Sequence, residues 1–199
     1  MITDLLKNYK IILGSASPRR AELLRGLGID FEIVANGNVN EEYPECEDPI
    51  EIPVILSERK ANSFGRELQS NEILITADTL VFCKGEILGK PIDRNDAIEM
   101  LRKLSNSYHY VVTGVTIKGK QNSTRFKSIT KVHFKELNNR EIEYYIDNYS
   151  PYDKAGAYGV QEWIGYIAIT GIEGSYYNVM GLPIQMVSDK LSEFIRSLA

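Results

Sequence analysis

The chain is poor in the residues that build disulfide scaffolds and metal clusters. It has two cysteines, two histidines and one tryptophan in 199 residues. Cys46 and Cys83 lie far apart and form no C-x-x-C pair, so neither a disulfide framework nor a zinc site is encoded. A reducing, intracellular compartment fits that usage. His109 and His133 lack metal-ligand spacing, and no Ser-His-Asp or Cys-His arrangement is suggested. No apolar run approaches the ~18 residues of a membrane span. The opening MITDLLKNYK lacks the apolar centre of a signal peptide, so the expected setting is cytoplasmic, away from membranes. Positive charge is not in excess either. Lys and Arg total 23 against 27 Asp and Glu, a net charge of −4. That balance argues against nucleic acid as a partner, which needs an extended basic surface. It leaves room for a small basic pocket that takes a phosphorylated metabolite. No internal repeat, low-complexity tract or linker interrupts the chain, and no G-x-x-x-x-G-K-[ST] loop occurs.

What is present is an ordinary globular balance, 43% apolar and 25% charged. The length suits one domain, or two lobes sharing a core. Lys10–Leu13 reads as a short strand. Ser17 then stands as an N-cap with Pro18 at the first helical position, and Leu23, Leu24 and Leu27 form the helical stripe that Gly28 ends. Phe31–Ala35 alternates like a strand, and Asn36–Pro49 is a polar, acidic loop. The spacing predicts a helix from about Ile52 to Leu68. Ile73–Cys83 is the most apolar stretch and reads as a buried strand, closed by a KGE turn. A helix over Asp93–Leu104, a hairpin of Tyr108–Lys118 with Ser123–Phe134, and a helix over Asn138–Asn148 follow. Strand-like runs near Trp163–Thr170 and Ser175–Val179 precede a last helix from Gly181-Leu182-Pro183 to about Leu198. The order mixes βα units with hairpins, which predicts an α/β fold with α+β character around a mixed sheet.

Four places draw chemistry. Asp78 stands inside Ile75-Thr76-Ala77-Asp78-Thr79-Leu80-Val81, and a carboxylate there is costly unless paired or metal-bound. It reads either as an acid capping a nearby loop or as a general base or metal ligand at the end of a central strand. Arg19 and Arg20 follow Ser15 and Ser17 in a turn that opens a helix, where an anion is favoured and arginine forks suit phosphate oxygens. Two solvated surface arginines would read the same. Lys90 in Gly89-Lys90-Pro91 is alone a weak signal, a turn lysine as readily as a ligand. Lys154-Ala155-Gly156-Ala157-Tyr158-Gly159-Val160-Gln161 permits close backbone approach. There Gln161 could read a base edge and Tyr158 could pack a ring, or the tyrosine could be structural.

These segments together resemble the Maf family of nucleoside triphosphate pyrophosphatases. The resemblance rests on Ser15-Ala16-Ser17-Pro18-Arg19-Arg20-Ala21-Glu22-Leu23-Leu24, Lys60-Ala61, Ala77-Asp78-Thr79, Gly89-Lys90-Pro91, the Ala97 to Ser105 helix, Thr113-Gly114-Val115, Asp153–Gln161 and Gly174–Pro183. It spans residues 11 to 186 or so. It implies a Maf/ITPase-like elongated mixed sheet flanked by helices, a single domain over residues 1–199 of two lobes around a central cleft, and a homodimer. It implies cleavage of a nucleoside triphosphate to the monophosphate and pyrophosphate, and DKAGAYGVQ is similar to the branch acting on dTTP and UTP. The same reaction on 7-methyl-GTP or on modified pyrimidine nucleotides, and a non-enzymatic nucleotide-binding regulator of division, are the alternatives. The resemblance makes Asp78 the catalytic acid and links Arg19, Thr79 and Gln161 to substrate choice. The acidic loop residue is assigned to Glu41, with Glu42 one position on. The family often has glycine after the glutamine, where this chain has Glu162.

The implied mechanism uses Mg²⁺ or Mn²⁺ held by Asp78 and Glu41, with Lys60 and Lys90 in the catalytic set. Asp78 deprotonates a metal-held water, which attacks the α-phosphorus in line. Ser15, Ser17, Arg19, Arg20, Thr79, Lys154 and Gln161 are the expected substrate contacts.

Overall fold

The computed structural model describes residues 2–34, 39, 42–43 and 48–198. Among them the elements run α1 (Ile2–Leu5), β1 (Lys10–Leu13), α2 (Pro18–Arg25), β2 (Phe31–Ile33), α3 (Ile52–Asn62), β3 (Glu72–Cys83), β4 (Glu86–Leu88), α4 (Arg94–Leu104), β5 (Tyr108–Lys118), β6 (Ser123–Phe134), α5 (Asn139–Tyr149), α6 (Trp163–Ala168), β7 (Ile169–Glu173), α7 (Tyr176–Val179) and α8 (Ile184–Arg196). The strands form one mixed sheet in the order β2-β1-β3-β5-β6-β7, with β4 paired to β3. This is the expected α/β class. Among the described residues, no helix is long and apolar enough to cross a membrane.

The chain divides into two compact units. The first is Met1–Asp78, Thr113–Ser128 and Gly181–Ala199; the second is Thr79–Val112 and Ile129–Met180. In the first unit, β1 runs parallel to both β2 and β3, with Leu13 beside Ile33 and Ile75. These strands read as continuous apolar runs because both faces are covered: Ile11, Ile12, Leu13, Ile73, Leu74 and Ile75 are all buried. Burying each such side chain contributes about 1.5–3 kcal/mol. Helix α3 lies directly on β5, since a Cβ on Gly114 would fall 2.3 Å from the Pro53 backbone. A buried polar tie fixes the same helix. Ser57 Oγ shares a 2.8 Å hydrogen bond with Thr116 Oγ1, and Thr76 Oγ1 donates to Ser57 O at 2.7 Å.

Helix α3 ends at Asn62, short of the expected Leu68. Lys118 Nζ reaches that end, donating to Asn62 Oδ1 at 2.7 Å and to Ala61 O at 3.4 Å. Phe64 and Leu68 then pack from the following loop against Ile12, Ala61 and Leu74, so their apolar spacing came from a loop that covers the core.

In the second unit, the KGE turn joins β3 to β4 with Lys84 and Gly85 at φ 52° and 82°, the left-handed pair that a two-residue hairpin requires. Asp93 caps α4 by accepting from Asp96 N, and Asn138 with Glu141 forms a capping box on α5. Two expected strands are helices. Trp163–Ala168 is α6, with Ile164 and Ala168 buried four residues apart. Gly165 allows this, because a Cβ there would sit 1.9 Å from Val160 O. Strand β7 begins only at Ile169. Tyr176–Val179 is α7, capped by Ser175. Its Asn178 is buried and donates to Val111 O and Thr130 Oγ1, both at 3.0 Å.

Candidate functional site

The turn after β1 is the first cluster. Gly14 N donates to Ile75 O at 2.8 Å, so the chain leaves β1 alongside the part of β3 that leads to Asp78. Ser17 occupies the N-cap position before Pro18, as expected, but its side chain makes no capping hydrogen bond. The turn is shaped by Ser15, whose buried Oγ accepts from Ser17 N at 3.2 Å and from Arg20 Nη1 at 3.3 Å. Arg20 Nε donates to Gly181 O at 2.8 Å. Arg20 therefore braces the turn against the residues that open α8. Arg19 is half-buried on the same helix turn.

The second cluster is an ion pair. Lys60 Nζ donates to Asp78 Oδ1 at 2.5 Å, with the two side chains 14% and 12% exposed. The Ser57–Thr76–Thr116 tie sets this distance, because Ser57 lies one helical turn before Lys60 and Thr76 lies two residues before Asp78. Asp78 Oδ2 makes no hydrogen bond among the described residues. The carboxylate is thus paired, as burial demands, and keeps one oxygen for a proton or a cation. Among the described residues the acid caps no loop. Glu41 lies outside the described residues; Glu42 is described, and its carbonyl accepts from Arg59 Nη1 at 2.9 Å.

The second unit carries the others. Thr79, half-buried, follows Asp78 on β3, and Lys90 is exposed. Gly156 N donates to Gly89 O at 2.9 Å, joining the Gly89-Lys90-Pro91 loop to the Lys154–Gln161 segment. Lys154 is only 8% exposed. Its Nζ lies 2.7 Å from Asp153 Oδ1 and 3.1 Å from Glu162 Oε1. Tyr158 is a core tyrosine: it meets the rings of His109 and Phe134 edge-on and shares a 2.7 Å hydrogen bond with His109 Nε2. Burial lowers the pKa of His109 to about 3, so the imidazole is neutral at pH 7. Gln161 Oε1 is enclosed and has no hydrogen-bond partner among the described residues. An enclosed acceptor left unpaired costs about 1–3 kcal/mol, which a donor on a ligand would recover.

A family model described as Maf-like protein matches residues 10–194. The chain belongs to the Maf family. The dTTP/UTP pyrophosphatase of Porphyromonas gingivalis is 51% identical over 193 residues, 96% of this chain and 97% of its own length. The proteins of the same name from Parabacteroides distasonis and Flavobacterium johnsoniae are each 48% identical, over 95% and 98% of this chain and 98% and 100% of theirs. Among solved structures, the Staphylococcus aureus Ham1 protein is 16% identical with a TM-score of 0.50, over 93% of this chain and 99% of that one. At that identity the match shows a shared fold.

For this Maf chain, sequence reasoning missed two supports. Tyr145 of α5 was not singled out, yet its hydroxyl accepts from Gly159 N at 3.0 Å and donates to Glu162 Oε2. Glu162 stood out only as a departure from the usual glycine, and its acceptor role was not visible.

Proposed function

We propose that this chain hydrolyses dTTP and UTP to the monophosphate and pyrophosphate, both units serving that one activity. Asp78 carries the reading: a nearly enclosed carboxylate with one oxygen held by Lys60 and the other without a partner among the described residues. Asp78 Oδ2 takes a proton from the attacking water. The water oxygen forms a bond to the α-phosphorus, the bond to the β-phosphate bridge breaks, and pyrophosphate leaves with the electron pair. Lys60 holds Asp78 in place before the transfer. Arg19, Arg20 and Lys90 are assigned to the triphosphate charge, and Ser15 and Ser17 to its oxygens. Lys154 is assigned to the substrate segment, with its ammonium set by Asp153 and Glu162.

Mg²⁺ or Mn²⁺ is the proposed cofactor. Among the described residues, no group of three or more His, Cys, Asp or Glu side chains could hold a metal. That suits an ion that arrives with the phosphates and needs one or two carboxylates. Asp78 and Glu41 would hold it, and it would supply charge neutralisation at the phosphate oxygens.

Thymine and uracil offer an N3–H between two carbonyls. The unpartnered Gln161 Oε1 supports this base choice, since it needs a donor and the same amide can donate to a neighbouring carbonyl. Arg19 and Thr79 join it in discrimination on the family resemblance. The homodimer rests on that resemblance as well, and the cytoplasmic setting on cysteine usage.

The test is a pyrophosphate-release screen of dTTP, UTP, CTP, ATP, GTP and 7-methyl-GTP with Mg²⁺ or Mn²⁺. Fastest release from dTTP and UTP is expected. No release from any of them overturns the enzyme, and preference for 7-methyl-GTP overturns the base assignment. Asp78→Asn keeps an acceptor for Lys60, so it should fold normally while losing about 10²–10⁴ in kcat. A variant with near-normal turnover would remove Asp78 from its role.

A further inference from the structure

We propose that Glu162 is a positioning residue for base selection, holding the segment that presents Gln161; this rests on the pyrimidine-nucleotide reading above. The segment is tied at several points. Gly156 N reaches Gly89 O, and Glu162 N donates to Gly159 O at 3.0 Å. Ala157 sits at φ 58°, a left-handed conformation that a non-glycine residue adopts only when its surroundings hold it. The turn therefore needs fixed anchors on both sides.

Glu162 supplies the closing one. It stands at the N-cap of α6, where an acid would ordinarily accept from a helix amide. Its side chain makes no such bond. It folds back over the turn, so that a Cβ on Gly159 would meet Glu162 Cδ at 2.7 Å. Both carboxylate oxygens are used. Oε1 lies 3.1 Å from the Lys154 ammonium at the start of the segment, and Oε2 accepts from the Tyr145 hydroxyl. That hydroxyl also accepts from Gly159 N in the middle of the segment. Burial and the adjacent Glu162 carboxylate raise the Tyr145 pKa, so the phenol stays protonated and donates. One carboxylate thus links the first residue, the middle and, through the chain itself, Gln161 at the end. With both oxygens engaged, Glu162 acts on the nucleotide through Gln161 and Lys154.

Removing it should loosen Gln161 while leaving the phosphate chemistry on Asp78 and Lys60 intact. Charged hydrogen bonds of this kind set the expected scale, so Glu162→Gly should raise KM for dTTP and UTP about tenfold with kcat within about twofold. The preference for dTTP over dCTP, as a ratio of kcat/KM, should fall by a similar factor. Glu162→Gln, which can still accept from Tyr145, should lie between the two. Inhibition by inorganic pyrophosphate should not change. Unchanged discrimination in Glu162→Gly overturns the proposal. So does an equal loss of kcat on every triphosphate, which would mark a purely structural residue. If the wild-type protein releases no pyrophosphate from any triphosphate, the hydrolase reading fails. Binding of dTMP against dCMP in wild type and Glu162→Gly then decides the positioning role, and a wild type that does not distinguish the two overturns both.

Discussion

Among the described residues each unit holds one nearly enclosed lysine–carboxylate pair, and the two pairs are built differently. Lys60 and Asp78 come from α3 and β3 and meet at 2.5 Å, and among the described residues the other carboxylate oxygen has no hydrogen bond. Lys154 and Glu162 come from one segment and lie 3.1 Å apart, and the other Glu162 oxygen is taken by Tyr145. An acid that must accept a proton needs an unoccupied oxygen. An acid that must hold a backbone in place needs both oxygens engaged. On the roles proposed above, the bonding of the second oxygen separates the two acids where charge and burial alone would not. That bonding carries the distinction, since both pairs are similarly enclosed.

The sharpest way to break the comparison is to remove the lysine of the first pair. Lys60→Met leaves Asp78 enclosed with no cation, and removing one partner of a buried pair is strongly destabilising. Turnover should fall about 10–10²-fold as the ionised acid becomes harder to hold in position. Thermal stability should fall as well, and the double variant Lys60→Met with Asp78→Asn should recover part of it. A double variant no more stable than Lys60→Met alone would mean the pair is not electrostatically coupled.

Much of the first pair was legible in the sequence. Asp78 is a charge in an apolar strand, and an anomaly of that kind is visible without coordinates. Its partner was legible only as a residue of the resemblance, because nothing in the sequence specifies a contact between Lys60 and Asp78, 18 residues apart. The order of elements from β1 onward was also readable, apart from the end of α3 and the segments around α6 and α7. There, short apolar runs are ambiguous between strand and helix, and the deciding facts were local: Gly165 tight against Val160, and Ser175 capping α7. Arg20 was readable as a phosphate ligand or a solvated surface residue, and its bond to Gly181 O spans 161 positions that no local pattern reports.

The units also differ in how acid should weaken them. In the second, His109 is buried and neutral, with a pKa lowered from 6.5 to about 3 by burial first and by His133 second. The unfolded chain binds this proton more readily. His109 therefore contributes stability that is complete above pH 6.5 and is lost as pH falls towards 3. One such proton gives a slope of at most about 1.4 kcal/mol per pH unit. His109→Phe keeps an aromatic ring beside Phe134 and should flatten the dependence of stability on pH between 6.5 and 4.5, whatever its stability at pH 7. Denaturant unfolding at a series of pH values measures it, and equal slopes in variant and wild type would refute it.

In the first unit the acid-sensitive group is a paired carboxylate, and its window lies lower. Glu72 is buried and accepts Arg66 Nη1 and Nη2 at 2.6 and 2.8 Å, with Gln69 N at 2.9 Å. The Arg66 hydrogen bonds, then the Gln69 amide, hold its pKa at about 2 against an ordinary 4.5. Here the folded state binds the proton less readily, so the contribution is complete above pH 4.5 and disappears as pH falls through 2. Arg66 is 47% exposed, so solvent screens the pair and the contribution should be about 1–2 kcal/mol, below what the shift alone would imply. Glu72→Gln should lose that amount at pH 7 and converge with wild type near pH 2. The His109→Phe difference should already be changing at pH 6, where the Glu72→Gln difference is still constant. If both differences change over the same pH range, the acid responses of the two units do not have the separate origins assigned to them.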